Sequence, residues 1–308
     1  MKKIYFILAV LAVLASSCSK ENICNEKCVA VNGTLTAYTP SCTKTAFGEK
    51  EDNVTKMVWS AGDALWVAGE TTWPASSQYT LVSEPSDKGT FQSTKPLTET
   101  GGIGALYPYS WCSRSYSSPY YIAINIPEQQ NPSTIGKGIM PMYGKGTQSG
   151  GLKFQHLGAI LRFRLFTQQA GLVLNKIELK NINPITGRLY IEGYDKQIKY
   201  AWNASNTLTY IYNQPLHNDK TDPSEIDVLV LCPINGKALN LTMTLTFNNG
   251  TTFTRSMSSN KTINSGSIVT FSTLECCGNE PSVTASSSLG ILNNEDGYNS
   301  DGFWSTEN

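Results

Sequence analysis

The chain reads as an all-β protein, built of sandwiches or barrels. Three observations predict this. Apolar and polar residues alternate in several stretches, turn residues separate those stretches at short intervals, and no window carries a sustained helical stripe. Charged residues make up only 16% of the chain, so Ser, Thr, Asn and Gln carry the polar surface. Hydroxyl and β-branched side chains suit strands and turns.

The amino terminus stands apart from this pattern. Lys2 and Lys3 precede an unbroken apolar run from Ile4 to Leu14, followed by Ala15-Ser16-Ser17-Cys18. A basic start, a short apolar stretch and small residues before a cut site make an export signal. Eleven apolar residues fall short of the roughly 20 needed to cross a bilayer core. A cysteine at the cut position predicts a lipobox, with Cys18 acylated and first in the mature chain. Residues 1–17 are thus expected to be a lipoprotein signal peptide. Residues 18–28, which begin Cys18-Ser19-Lys20-Glu21-Asn22, are expected to be a polar tether.

From Val29 onward strands dominate. Short strands are expected at Val29–Tyr38, Val54–Trp59, Leu65–Ala68 and Tyr120–Ile126. Leu157, Ala159, Leu161, Phe163 and Leu165 share one face of a longer strand, with Arg162 and Arg164 on the other. Strands follow at Ile177–Lys180 and Leu189–Ile191. Ile226–Leu231, apolar on both faces, reads as a central strand interrupted by Asp227 and ended by Pro233. Leu239, Leu241, Met243, Leu245 and Phe247 alternate with Asn240 and three threonines. Asn248-Asn249-Gly250 then predicts a type I′ turn, and Thr251–Met257 the returning strand. A last strand is expected at Ile268–Phe271. The glycine-rich stretch Gly144–Gly151 has no core face and reads as a linker between a domain at 29–150 and a second at 151–277. Residues 278–308, rich in Ser, Asn and Gly and lacking a basic residue, read as a weakly ordered tail.

Charge and cysteine content exclude several classes. Removing residues 1–17 takes two lysines from 24 basic residues and no acid from 24, leaving a net charge near −2. Nucleic acid binding needs a basic stripe, and there is none. Beyond Cys18 seven cysteines remain, and export permits disulfides whose pairing the sequence leaves open. Zinc would want paired CxxC spacings or interleaved histidines. Only His156 and His217 exist, and the cysteine spacing is wrong, so no metal or cofactor is expected. The same scarcity leaves no nucleophile–histidine arrangement, and His156 reads as a hydrogen-bonded domain-edge residue. Gly101-Gly102-Ile103-Gly104 lacks the strand–helix context of a phosphate loop. The chain is therefore expected not to be an enzyme. The aromatic cluster from Tyr107 to Tyr121 offers the best contact surface, with Tyr109, Trp111 and Tyr116 as its candidates.

An ordered series of short motifs adds to this reading. Thr43-Lys44-Thr45-Ala46-Phe47 is followed by Trp59-Ser60-Ala61-Gly62-Asp63, Tyr107-Pro108, Pro127-Glu128-Gln129-Gln130 and Pro141-Met142-Tyr143. Then come Phe154-Gln155-His156-Leu157-Gly158-Ala159-Ile160-Leu161-Arg162-Phe163 and Ile177-Glu178-Leu179. Over about residues 29–274 this series resembles the fimbrillin-like lipoproteins of type V pili. The resemblance implies two tandem transthyretin-like β-sandwich domains and export as an outer-membrane lipoprotein exposed on the cell surface. It implies a structural or adhesive pilus subunit whose partners are other pilus subunits, outer-membrane lipid through Cys18, and host or bacterial surface ligands. In polymerising members a protease removes the first strand, and a strand of another subunit fills the apolar groove left behind. Here Val29, Val31, Leu35 and Ala37 would be the inward face of that strand. Stalk members are often cut after an arginine beyond it, whereas this chain has no arginine before Arg114, leaving Lys44 or Lys50 for a different protease. The alternative expectation is a monomeric surface glycan-binding lipoprotein that uses the tyrosine-rich segment.

Overall fold

The computed structural model describes residues 33–39, 50–51, 54–55, 58–99, 101–117, 120–135, 139–194, 196, 198–200, 204–231, 238–262, 265–276, 285–286 and 291–294. Residues 1–28, expected to be a signal peptide and a tether, lie outside the described residues, as do Val29 and Val31. Strands occur in the order β1 (Thr34–Tyr38), β2 (Lys50–Glu51), β3 (Val54–Thr55), β4 (Ala64–Gly69), β5 (Ser76–Leu81) and β6 (Lys88–Gln92). Next come β7 (Gly102–Tyr107), β8 (Cys112–Ser115), β9 (Tyr121–Ile126), β10 (Gln129–Gln130), β11 (Met142–Thr147) and β12 (Gly151–His156). The second half holds β13 (Gly158–Phe166), β14 (Val173–Asn181), β15 (Gly187–Ile191), β16 (Lys199–Tyr200), β17 (Thr207–Pro215) and β18 (Ser224–Leu231). It ends with β19 (Ala238–Phe247), β20 (Thr252–Thr262), β21 (Ile268–Phe271), β22 (Leu274–Glu275), β23 (Ala285–Ser286) and β24 (Ile291–Asn294). One α-turn, Pro132–Ile135, and one 3₁₀ turn, Tyr109–Trp111, complete the described elements. No helix among the described residues is long and apolar enough to cross a membrane.

The chain is all-β, as its alternation predicts. In the second half, the six-stranded sheet β10-β17-β14-β19-β20-β23 and the sheet β18-β13-β21-β24 line one shared core. Leu241, Met243, Leu245 and Phe247 fill it from β19. Replacing Leu245 by Ala is expected to cost about 2–5 kcal/mol. Thr242→Ala, on the opposite face, should change stability by less than roughly 0.5 kcal/mol. Urea unfolding distinguishes the two, and equal losses would place the wrong face inward.

The hairpin after β19 differs in detail from the type I′ turn expected. Phe247 pairs with Thr251 around a three-residue loop, and Gly250 alone carries a positive φ, of 81°. That is a turn followed by a left-handed glycine. The register is set by a neighbour: Asn248 Oδ1 accepts from Val173 N, and Asn248 N donates to Val173 O, which ties the turn to β14.

The first half departs further from a two-sheet sandwich. Hydrogen bonding closes β1-β12-β11-β7-β4-β5-β6 into a ring, because β1 pairs antiparallel with β6 and parallel with β12. A four-stranded sheet, β16-β15-β9-β8, packs on its outside. All six residues of β7 are buried as a result, one face turned into the ring and the other toward that sheet. Ile122, Ile124, Leu189 and Ile191 of the sheet join the ring's buried residues in one apolar cluster.

The domain boundary therefore falls elsewhere than at 150/151. Gly144–Gly151 is no linker: Gly144 and Gly146 lie in β11, and Gly151 opens β12, its antiparallel partner within the ring. These glycines lack a core face because their neighbours take the space; a Cβ on Gly144 would meet the Phe154 ring at 2.8 Å. The division comes nearer Leu157, and it is not clean. β15 and β16 join the first unit's outer sheet, while β10 adds to the second unit's six-stranded sheet. β23 and β24 place parts of the 278–308 tail at the edges of the second unit's two sheets.

β18 is likewise an edge strand rather than a central one, although both its faces are covered. Val228 and Val230 enter the second core, and Leu229 and Leu231 the first. The fully buried Gln130 closes its open edge. Its Nε2 donates to Leu229 O at 2.7 Å, and its Oε1 accepts from Leu229 N at 3.0 Å. An amide side chain thus stands in for a missing strand, and the buried polar groups are satisfied. Asp227, expected to interrupt the strand, forms a two-pronged ion pair with Arg162 at 2.7 and 2.8 Å.

Candidate functional site

β1 is the candidate site, because it is the strand that closes the ring. Its register with β6 runs over five pairs, from Thr34 opposite Gln92 to Tyr38 opposite Lys88. On the other side only two residues, Ala37 and Tyr38, pair with β12. Leu35 and Ala37 point inward at 2% and 0% exposure. Two of the four residues assigned to the replaceable face are thus placed, while Val29 and Val31 fall outside the described residues.

Trp59 fastens β1 from within. The residue lies outside any strand, although it was expected to end one, and its indole N–H donates to Ala37 O at 3.0 Å. Its ring meets Phe91, Tyr107 and Phe154 edge-on at 5.1, 5.4 and 5.3 Å. These are geometries that aromatic quadrupoles favour. Gly89, opposite Ala37 in the ladder, leaves room for the indole; a Cβ there would lie 2.7 Å from it. Asp63 then sets the approach to Trp59: it accepts from Ser60 N at 2.7 Å and from the Tyr107 hydroxyl at 2.8 Å. Burial pushes the Tyr107 phenol well above its ordinary pKa, and the Asp63 carboxylate adds to the shift. Motifs far apart in sequence, around Trp59, Tyr107 and Phe154, thereby converge on the inner side of β1.

The candidate contact aromatics separate into different roles. Tyr109 stacks on Trp66 at 5.2 Å, and Trp111 packs partly buried against the first core. Tyr116 alone of the three stays open, at 56% exposure, with the Arg114 guanidinium 4.5 Å from its ring. Arg114 also lies over Trp66 and donates to Ser76 Oγ at 2.9 Å, so this corner is a closed stack of side chains. Tyr107 is core, whereas Tyr120 is exposed despite sharing a phase with Ile122.

Cys18 lies outside the described residues. Among those described, no cluster of three or more His, Cys, Asp or Glu could hold a metal. The Cys112 thiol donates to Pro108 O, and burial pushes its pKa far up, so it stays protonated. His156, at the end of β12, is fully enclosed, and desolvation lowers its pKa from 6.5 to about 3. Because the folded value lies below the unfolded one, the unfolded chain takes up the proton first. Stability is full above about pH 6.5 and falls as the pH drops toward 3. Between pH 8 and pH 5 this group should remove about 2 kcal/mol. Urea melts of wild type and His156→Gln at the two pH values check this; an equal pH dependence in both would refute it.

No protein-family model and no curated protein matches the chain. Solved structures do resemble it. A candidate cell adhesion protein from Bacteroides ovatus shares 15% identity over 78% of this chain and 91% of its own, with a TM-score of 0.49. Another from Bacteroides uniformis shares 15% over 80% and 93%, with a TM-score of 0.46. A fimbrial assembly protein from Parabacteroides distasonis shares 10% over 77% and 89%, with a TM-score of 0.31. Likeness at this level leaves the functional argument to the chain's own residues.

Proposed function

We propose that this protein is a non-enzymatic, surface-anchored subunit of a type V pilus, structural or adhesive, that joins its neighbours by exchange of its first strand. The observation that carries the reading is the place of β1. One five-residue strand closes an otherwise continuous ring, with two inward side chains and only two pairs on its β12 side. Without it, the edges of β6 and β12 would stand open on either side of an apolar slot beneath Trp59. Such a slot is what β-augmentation uses: main-chain bonds supply affinity and alternate side chains supply fit. The ordered motif series supports the same reading, since three of its aromatic residues, Trp59, Tyr107 and Phe154, meet at this slot.

The Cys18 thioether would hold the subunit on the outer membrane, with an acyl chain contributing about 0.8 kcal/mol per buried CH₂. Cys18→Ala is expected to release the protein from membranes of its host cell. Fractionation with immunoblotting reads this, and unchanged membrane partition would remove the anchor from the proposal. Electron microscopy of sheared surface material, labelled with antibody to the chain, tests the pilus itself. Label along or at the end of filaments is the expected result, and label confined to smooth membrane would overturn it.

A further inference from the structure

We propose that the outer face of the four-stranded sheet binds an acidic carbohydrate, with Tyr121 and Tyr190 as its stacking pair and Arg188 as the contact for its carboxylate. This deepens the adhesive side of the proposed function and does not require strand exchange.

The alternation of β9 and β15 defines the face. Ile122, Ile124, Ile126, Leu189 and Ile191 enter the first core, so Tyr121, Ala123, Asn125, Arg188 and Tyr190 stand on the other side. Tyr190 lies opposite Ala123, and Arg188 opposite Asn125. The Tyr121 and Tyr190 rings are 5.6 Å apart and tilted by 56°. Ala123 is fully buried even though it points outward, so the larger side chains around it form a continuous surface above it. Two partly exposed aromatic rings on a solvent-side face serve no core. Amphipathic rings in that position suit a ligand with one apolar and one polar side.

Charge narrows the ligand class. Lys199, opposite Tyr190, is already paired with Glu192 at 3.5 Å. Arg188 forms no ion pair among the described residues, and its Nε is buried without a hydrogen-bond partner. It stands two residues from Tyr190 on the same side of the strand, about 6.6 Å along it. That spacing fits a pyranose whose C–H face rests on the tyrosines and whose exocyclic carboxylate reaches the guanidinium. Arginine holds a carboxylate by two parallel, charge-assisted bonds. A neutral sugar offers the guanidinium only uncharged hydroxyl acceptors, which hold it more weakly.

The test uses the full mature chain with polygalacturonate and neutral galactan as probes in titration calorimetry. Polygalacturonate should bind the more tightly. Tyr121→Ala with Tyr190→Ala should weaken that binding about tenfold or more, while the corresponding Phe pair should keep most of it. Arg188→Gln should reduce polygalacturonate to the level of galactan. Unchanged thermal unfolding verifies that the variants fold. Equal affinity of wild type for both probes, or full affinity in the double Ala variant, would overturn the proposal. Filament labelling reads the pilus assignment independently of either outcome.

Discussion

Trp59→Ala is expected to cost about 3–5 kcal/mol, the range for removing a large aromatic from a core. Against a typical total stability of about 5–15 kcal/mol this is a large fraction. The loss should not be spread evenly. Trp59 touches Phe91, Tyr107 and Phe154 and bonds the carbonyl of Ala37, so its removal leaves a hole on the inner side of β1. The variant Trp59→Phe separates the two contributions. It keeps much of the packing but leaves the Ala37 carbonyl without its indole donor, which costs about 1–3 kcal/mol if that carbonyl finds no other donor. In both variants the amides of β1 should exchange with solvent sooner than those of β4, which pairs with β5 over five residues and with β7 over four. Hydrogen exchange resolved by strand measures this. Equal acceleration in β1 and β4 would mean that Trp59 supports the ring as a whole rather than its closing strand.

The parts of this fold that the sequence reveals are those whose two faces differ. β19 alternates without interruption, because one side meets a core and the other carries Asn240 and three threonines, and β21 appears at its expected limits. β7 gives no such signal. Its six positions are all buried, and two of its glycines are required by side chains laid across them: a Cβ on Gly104 would meet the Tyr143 hydroxyl at 2.9 Å, and one on Gly102 the Tyr194 ring. Locally that segment looks like a loop. Closure of the ring is hidden for another reason. Pairing Ala37 with Leu152 is a long-range event that no local pattern encodes, and it turns the apparent linker into an interior hairpin.

The candidate sites show the same limit. Leu35 and Ala37 were legible as one face of a strand. That Trp59 would bond the carbonyl of Ala37 was not, since nothing in the residues around Trp59 says which carbonyl its N–H will meet. Gln130 stood in a recognisable motif, yet its role depends on a strand 99 residues away. Tyr190 lay outside the tyrosine-rich segment and became a neighbour of Tyr121 only through the pairing of β15 with β9.

A chain lacking residues 1–41 is expected to form SDS-resistant ladders, and a chain lacking residues 278–308 as well is expected not to. The first deletion removes β1 whole and frees the β6 edge along five residues. An incoming strand must then present apolar side chains at every second position. In the tail, Val283, Ala285, Ser287, Leu289 and Ile291 would share one face if the chain were extended as a single strand, and the stretch carries no charge. Its existing pairings are short. Ala285 and Ser286 meet β20 over two residues, and β24 meets β21 over three. Leaving them gives up few ladder bonds, whereas entering the slot gains two edges and the space vacated by Leu35 and Ala37. Dissociation would have to break both edges together, which makes the ladder kinetically resistant to detergent. If both shortened chains polymerise, the donor is another segment and the tail is an edge cover for the second unit. If neither does, the ring does not accept a foreign strand, and the protein acts in a pilus as an anchor or adhesin rather than as a repeating link.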